Sequence, residues 1–385
     1  MSDFFQGRVP LSAGSFMGSL SHLRAHELGS IVIKEALKRA DVDAKDVSEV
    51  ILGQSLQAGQ GQNTARQASI NAGIPVEAPA WTINMLCGSG LKSLVGNGLL
   101  TGGSSAYAQP GGAGAGQESK APHAIHMRAG KRSSTPSSSI HDGSRPSKTS
   151  HAQVIQTTAL HFQYPENIAE KHKISREDQD RFALESQRRA EVAQKNGYFE
   201  KEIVPVPIKV KKEEKIFSED EFPKHGLTLE SLAQLKPVFL KDGTVTPGNA
   251  SGLNDGAAAV VLMSRATAES RGAQVLAKIV GFATGGVSPA LMGTGPIPAV
   301  ENLLAKVGWT LAQVDLFELN EAAAAQALSV NVHGGAIALG HPLGASGTRV
   351  LVTLIHALQR TGGHKGVASL CIGGGMGIAI AIEIP

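Results

Sequence analysis

Only two cysteines, Cys87 and Cys371, occur in 385 residues. So few exclude a disulfide-stapled scaffold and, with no paired-histidine motif beside them, a structural zinc site. Aromatic residues make up just 4%, too sparse for a surface that stacks nucleobases. The net charge is +3 and no basic run dominates, so no nucleic-acid partner is expected. No apolar run approaches the ~20 residues that span a bilayer, and no membrane partner is expected. No G-x-G-x-x-G opens a helix after a strand and no GK[ST] occurs, which argues against a dinucleotide or nucleotide-phosphate enzyme. The opening stretch "MSDFFQGRVPLSAGSF" has neither an apolar signal core nor an Arg-rich amphipathic pattern, and "AIEIP" at the other end is no recognised address. A cytoplasmic location is therefore expected.

What is plentiful is glycine, 45 residues, against a 42% hydrophobic background. Tight turns between buried elements follow from that composition. Residues 28–40 carry apolar side chains at helical spacing, Val47 to Leu52 reads as a short strand, and "TARQASINAGI" reads as a helix stopped at Gly73. "WTINML" is a strand that turns through "CGSG" into another helix. Residues 131–150 hold eight serines in twenty positions with no periodicity, which predicts a mobile loop or a disordered segment. Ser175 with Asp178 three residues on marks a helix start, and that helix runs to about Asn196. "KEIVPVPIKV" and the apolar part of "SGLNDGAAAVVLMS" read as strands. The last third alternates strands and helices, so the chain is α/β. "CGSGLKSLV" at 87–95 is echoed by "GASGTRVLV" at 344–352, which suggests two similar halves.

The glycine-rich turns carry the chemistry. At the end of a strand and the start of a helix, Cys87 is expected to have a lowered pKa and act as an acyl-accepting nucleophile, with Gly88 and Gly90 leaving room for substrate. His341, in "GGAIALGHPLGASG", sits on a turn too glycine-rich for an ordinary core position. An imidazole there suits a general base to Cys87. In "LCIGGGMG", Cys371 precedes three glycines whose amides could line an oxyanion site. Asn320, in "ELNEAA", is an uncharged donor at the end of an apolar strand.

Together, the Cys87 turn, "NEA", "GHPLGASG" and "CIGGGMG", with "TPGNASGLNDGAA" at 246–258 and "GPIPAV" at 295–300, resemble the thiolase family in order and spacing, and most closely its cytosolic acetoacetyl-CoA members. The resemblance implies a five-layer αβαβα fold built from two βαβαβαββ halves plus an inserted loop domain. Residues 1–119, completed by 243–265, would form the N-terminal half, 120–242 the CoA-binding loop domain with 131–160 disordered or atypical, and 266–385 the C-terminal half. It implies reversible condensation of two acetyl-CoA to acetoacetyl-CoA plus CoA through acetyl-Cys87. His341 would be the base and Cys371 the proton shuttle. Asn320, through a water, and His341 would hold the enolate, while the amides of Cys87 and Gly373 would hold the tetrahedral oxyanion. Lys224, Ser251 and His161 match CoA-binding positions. Neither a metal nor a cofactor beyond the CoA thioesters is implied, and the assembly would be a homodimer or homotetramer.

The chain departs from the family in four places. Residues 101–165 depart from its pattern outside 116–130, and the usual N-terminal strand is largely replaced. Ala323 stands where phenylalanine is usual, and the stretch after Ala327 is about ten residues short, which would truncate a helix. Two alternatives stay open: a catalytically impaired thiolase-like chain that binds CoA or pairs with an intact subunit, and a 3-ketoacyl-CoA thiolase of longer chain range.

Overall fold

The computed structural model describes residues 3–10, 13–15, 17–95, 122–127, 164–210, 213–324 and 330–385. The predicted disorder at 131–160 and the candidate His161 lie outside them. In chain order the first elements are β1 (Asp3–Pro10), β2 (Gly14–Ser15), α1 (Ala25–Arg39), β3 (Val50–Gly53), α2 (Thr64–Asn71), β4 (Ala80–Ile83), α3 (Ser89–Leu94) and β5 (Pro122–Met127). Then come α4 (residues 164–172), α5 (Arg176–Lys195), β6 (Val206–Val210), β7 (Glu213–Phe217), α6 (Leu229–Ala233), β8 (Asn254–Ser264) and α7 (Arg265–Arg271). The rest are β9 (Ala277–Gly286), α8 (Pro296–Val307), β10 (Leu316–Leu319), α9 (Ala336–Leu339), α10 (Leu343–Thr361), β11 (Lys365–Ile372) and β12 (Met376–Glu383). None of the described helices is long and apolar enough to cross a membrane.

The strands order as β10-β11-β12-β9-β1-β8-β5-β3-β4. Strand periodicity explains how they become layers, because alternate side chains face opposite sides. In β8, Ala257, Ala259, Val261 and Met263 pack under α1 and α2 with Leu28, Val32, Ala65 and Ala68. The intervening Val260 and Leu262 face Leu91 and Leu94 of α3 and Leu351, Leu354 and Leu358 of α10. In β12, Ile378, Ile380 and Ile382 also face that central helix layer. Ala379 and Ala381 face outward against Ala299 and Leu303 of α8. The result is helix, sheet, helix, sheet, helix, as the family resemblance implies.

Backbone contact holds the central layer together. A Cβ added at Gly90 would lie 2.8 Å from the Gly347 Cα, and one added at Gly347 would lie 2.4 Å from the Leu91 nitrogen. These are the equivalent glycines of the two echoed segments. A residue with any side chain at either point would force α3 and α10 apart.

Two sequence readings change. The strand thought largely lost at the N-terminus forms as β1. It pairs antiparallel with β8, with an irregularity between Phe5 and Arg8, and its Phe4 and Phe5 reach β9. Strand pairing needs backbone amides and carbonyls rather than a fixed side-chain motif, so a divergent sequence can supply it. Within the span read as loop domain, β5 lies in the sheet between β3 and β8. Between β10 and α9, where the sequence predicts a truncated helix, Ala324 stands in a 3-10 turn. There the Asn331 side chain bonds both the N–H and the C=O of Leu319, each at 2.7 Å, and so satisfies the edge of β10.

The glycine contact gives the first test. Gly347→Ala is expected to lower stability by ~1–3 kcal/mol, the usual cost of overpacking. Urea denaturation would measure it, and an unchanged midpoint would show that the helices can separate freely.

Candidate active site

Cys87 is presented by a bolted turn. Leu86 adopts a left-handed φ of +48°, and its N–H donates to Asn84 Oδ1 at 3.0 Å. The Leu86 carbonyl accepts from the Ser55 and Ser89 hydroxyls at 2.8 and 2.7 Å. Such strain at a non-glycine residue persists only where its surroundings over-determine it. The turn packs against β11 and α10. There the Gly373 N–H, in the glycine turn after β11, reaches the Cys87 sulfur. Gly88 is needed at this junction, because a Cβ there would lie 2.4 Å from Ile372 Cδ1.

The sequence reading of Cys87 as a lowered-pKa thiol is not what the structure shows. The side chain is only 7% exposed, and burial pushes its pKa up to about 11, against the opposing pull of the amides of Gly373 and Cys87 itself. Desolvation of the thiolate outweighs two backbone dipoles. The resting group is a thiol.

His341 follows Gly340, whose φ of +93° only glycine adopts without strain. The His341 N–H donates to Asn254 Oδ1 at 3.0 Å, while Asn254 Nδ2 donates to the Gly14 carbonyl at 3.1 Å. A side chain of the N-terminal half therefore holds a histidine of the C-terminal half. Instead of lying open on its turn, the imidazole is 4% exposed, and burial lowers its pKa to about 4. Its Nδ1 lies 2.7 Å from Ser346 Oγ, and Ser346 Oγ donates to the Pro342 carbonyl at 3.0 Å. In the tautomer that leaves the Ser346 hydrogen on the Pro342 carbonyl, Ser346 accepts from Nδ1–H. The lone pair then sits on Nε2, which is buried without a hydrogen-bond partner among the described residues. A neutral imidazole with a bare Nε2 is a proton acceptor.

Asn320 directly follows β10, and its N–H donates to the Ser369 carbonyl at 3.0 Å, which ties it to the strand carrying Cys371. Both polar atoms of its side chain are buried with no partner among the described residues, an arrangement that calls for a ligand or water. It shares a small cavity with Gly340 and Ser346. Cys371 is fully buried in β11 and packs with Met292, Ala322 and Tyr164. Cys87, Gly373, Cys371, Asn320 and His341 thus belong to one region reached from both halves. The adjoining Glu321 accepts from Ser186 Oγ at 2.7 Å and Asn331 Nδ2 at 2.8 Å and anchors neighbouring segments.

Of the CoA candidates, Ser251 is half-buried at the edge of this region, its N–H and hydroxyl each 3.2 Å from the Ala322 carbonyl. Lys224 is exposed, with Nζ 5.6 Å from the centre of the Phe222 ring, and that ring packs over Gly252 beside Ser251. Ala323 is buried in a bridge with Ala250. Sequence reasoning missed Asn254, Ser346 and Tyr164. Ser346 lies inside a recognised motif and Asn254 inside another, but only the folded contacts reveal their link to His341.

Against known proteins, residues 7–266 match the model of the thiolase N-terminal domain and residues 273–384 that of the thiolase C-terminal domain. The chain belongs to the thiolase family. The rat protein named cytosolic acetyl-CoA acetyltransferase is 51% identical, over 96% of this chain and 95% of its own. An acetyl-CoA acetyltransferase of Rhizobium meliloti is 49% identical, over 97% and 96%. Among solved structures, the Bacillus anthracis acetyl-CoA acetyltransferase aligns with a TM-score of 0.84 at 38% identity, covering 100% of this chain and 99% of that one. Human mitochondrial 3-ketoacyl-CoA thiolase aligns at 0.83 and 36%, with the same coverage.

Two tests follow from the electrostatics. Because the resting Cys87 is a buried thiol, its alkylation by iodoacetamide should rise ~10-fold per pH unit from pH 7 to 10; a plateau reached by pH 8 would mean a preformed thiolate. Ser346→Ala should release the imidazole's tautomer and orientation and slow acylation of Cys87 by roughly 10- to 100-fold, the effect common for an orienting partner. Stopped-flow release of CoA would read this, and an unchanged rate would remove Ser346 from that role.

Proposed function

We propose that the protein is an acetyl-CoA C-acetyltransferase, which joins two acetyl-CoA into acetoacetyl-CoA plus CoA and runs the reverse cleavage. The observation that carries this reading is the packing of the Cys87 turn on the Cys371 strand, Gly88 against Ile372, because it joins the two cysteine turns into one site. The relatives named acetyl-CoA acetyltransferase support the choice of acyl group.

In the first half-reaction Cys87 attacks the thioester carbonyl of acetyl-CoA as its proton passes to His341 Nε2. The bond to CoA sulfur breaks, and CoA leaves with that proton. A buried thiol and a neutral imidazole suit this concerted transfer, since neither must hold a charge before substrate arrives. In the second, Cys371 as its thiolate takes an α-proton from another acetyl-CoA. The carbanion attacks the acetyl-Cys87 carbonyl, the Cys87 sulfur leaves, and the proton on Cys371 returns to it. Asn320, through a water, and His341 hold the enolate oxygen. The amides of Cys87 and Gly373 hold the tetrahedral oxyanion, a kind of contact whose loss costs ~100-fold or more.

For CoA, the reading uses Ser251 beside the Ala322 carbonyl and the Lys224 ammonium near Phe222. Lysine there is a point charge rather than a bidentate clamp on phosphate. His161 is proposed to join them at the pantetheine. No cofactor beyond the CoA thioesters is needed. A cytoplasmic setting agrees with the cytosolic rat relative, and the family's habit supports an assembly of two or four like copies.

Peptide mass spectrometry after incubation with acetyl-CoA tests the proposal. One acetyl group is expected on the Cys87 peptide, and none in Cys87→Ser. Cys371→Ala should keep the acetyl group while losing condensation. A folded protein that gains no acetyl group on Cys87 would overturn the assignment.

A further inference from the structure

The first turn of α4 brings into the site a side chain that the proposed chemistry does not use. Tyr164 is one of three tyrosines in the chain. Its ring packs partly buried in the same apolar cluster as Cys371, Met292 and Ala322, and it also meets Ile168, Ala169 and Leu291. Burial, and then the proximity of Cys371 and Cys87, hold its phenol well above the usual range, so it stands beside both sulfurs as a neutral ring.

Tyr164 is fixed by its neighbours in sequence. The buried Glu166 carboxylate accepts from the Thr244 N–H at 2.9 and 3.0 Å, the Thr244 hydroxyl at 2.8 Å and the Val245 N–H at 3.0 Å. Asn167 Nδ2 donates to the Ala290 carbonyl at 3.0 Å. Ala290 lies in the same short turn, Pro289–Thr294, as Met292. These anchors hold the backbone that presents the Tyr164 ring beside Cys371.

An acyl group on Cys87 and a carbon losing its proton at Cys371 must share the space beside the two sulfurs. The small side chain of Ala322 stands on one side, and the Tyr164 ring occupies another. We infer that Tyr164 is a specificity-determining residue, whose ring bounds the acyl space and restricts the protein to short, unbranched 3-oxoacyl thioesters of CoA. This inference rests on the activity proposed above.

The test compares S-ethyl-CoA with S-hexyl-CoA, two unreactive thioethers whose binding reads the pocket whether or not the protein turns over. Calorimetric titration of the full chain should show preference for the ethyl compound. Tyr164→Ala should shift the ratio of dissociation constants at least ~10-fold toward the hexyl compound, the discrimination one or more methylenes can give in an apolar pocket. Tyr164→Leu should shift it in the same direction and serves if the alanine variant does not fold. Tyr164→Phe should keep the parental ratio. An unchanged ratio in a folded Tyr164→Ala or Tyr164→Leu protein would overturn the inference, as would a Tyr164→Phe shift equal to theirs, since the hydroxyl and not the ring would then set the limit. Cys87 acetylation in the parent reads the underlying activity separately, so failure there is distinct from failure of the Tyr164 assignment.

Discussion

The contact of Gly90 with Gly347 is the constraint on which the site depends. Two helices approach this closely only where the facing residues lack a Cβ, and a Cβ added at Gly90 would lie 2.8 Å from the Gly347 Cα. Cys87 lies three residues before one glycine, and His341 lies six before the other. Clamping α3 to α10 near their first turns therefore fixes the nucleophile's turn relative to the histidine's turn. The Asn254 bond to the His341 amide strengthens the same junction between the halves. Rigid packing of this kind is what positions reacting groups, because small displacements in a site cost large factors in rate.

The same clamp determines the electrostatics. Packing the two halves of the sheet around the central helix layer leaves Cys87 and His341 almost without water, and burial moves both pKa values away from neutrality, one up and one down. An ion pair would have to be desolvated there. At Cys87 and His341 a thiol and a neutral imidazole carry no such cost, and in the first half-reaction charge arises as a thioester engages the amides of Cys87 and Gly373. Low dielectric makes those two dipoles more effective on the developing oxyanion than they could be near the surface.

Beside the stretch where the chain is shorter than its family's pattern, local hydrogen bonding secures the end of β10. Asn331 gives the backbone of Leu319 a donor and an acceptor, and its amide also bonds Glu321, so the end of β10 just before Asn320 remains satisfied. A buried backbone group left without partners would cost ~1–3 kcal/mol. The divergent N-terminal sequence still forms β1, whose contacts with β8 and β9 join the two half-sheets.

Much of this was legible in the residues. The strand and helix alternation, the Ser175 cap, the two echoed turns and the residue types Cys87, His341, Cys371 and Asn320 follow from spacing and chemistry that act within a few residues. The echo even pairs Gly90 with Gly347, although nothing local says that they touch. What only the tertiary structure decided are quantities that depend on distant neighbours. Burial reversed the expected shift at Cys87, the Ser346 and Asn254 contacts fixed the histidine, and the anchors of Glu166 and Asn167 carried Tyr164 to the sulfurs. Desolvation and long-range contact are properties of the packed chain, so no window of sequence contains them.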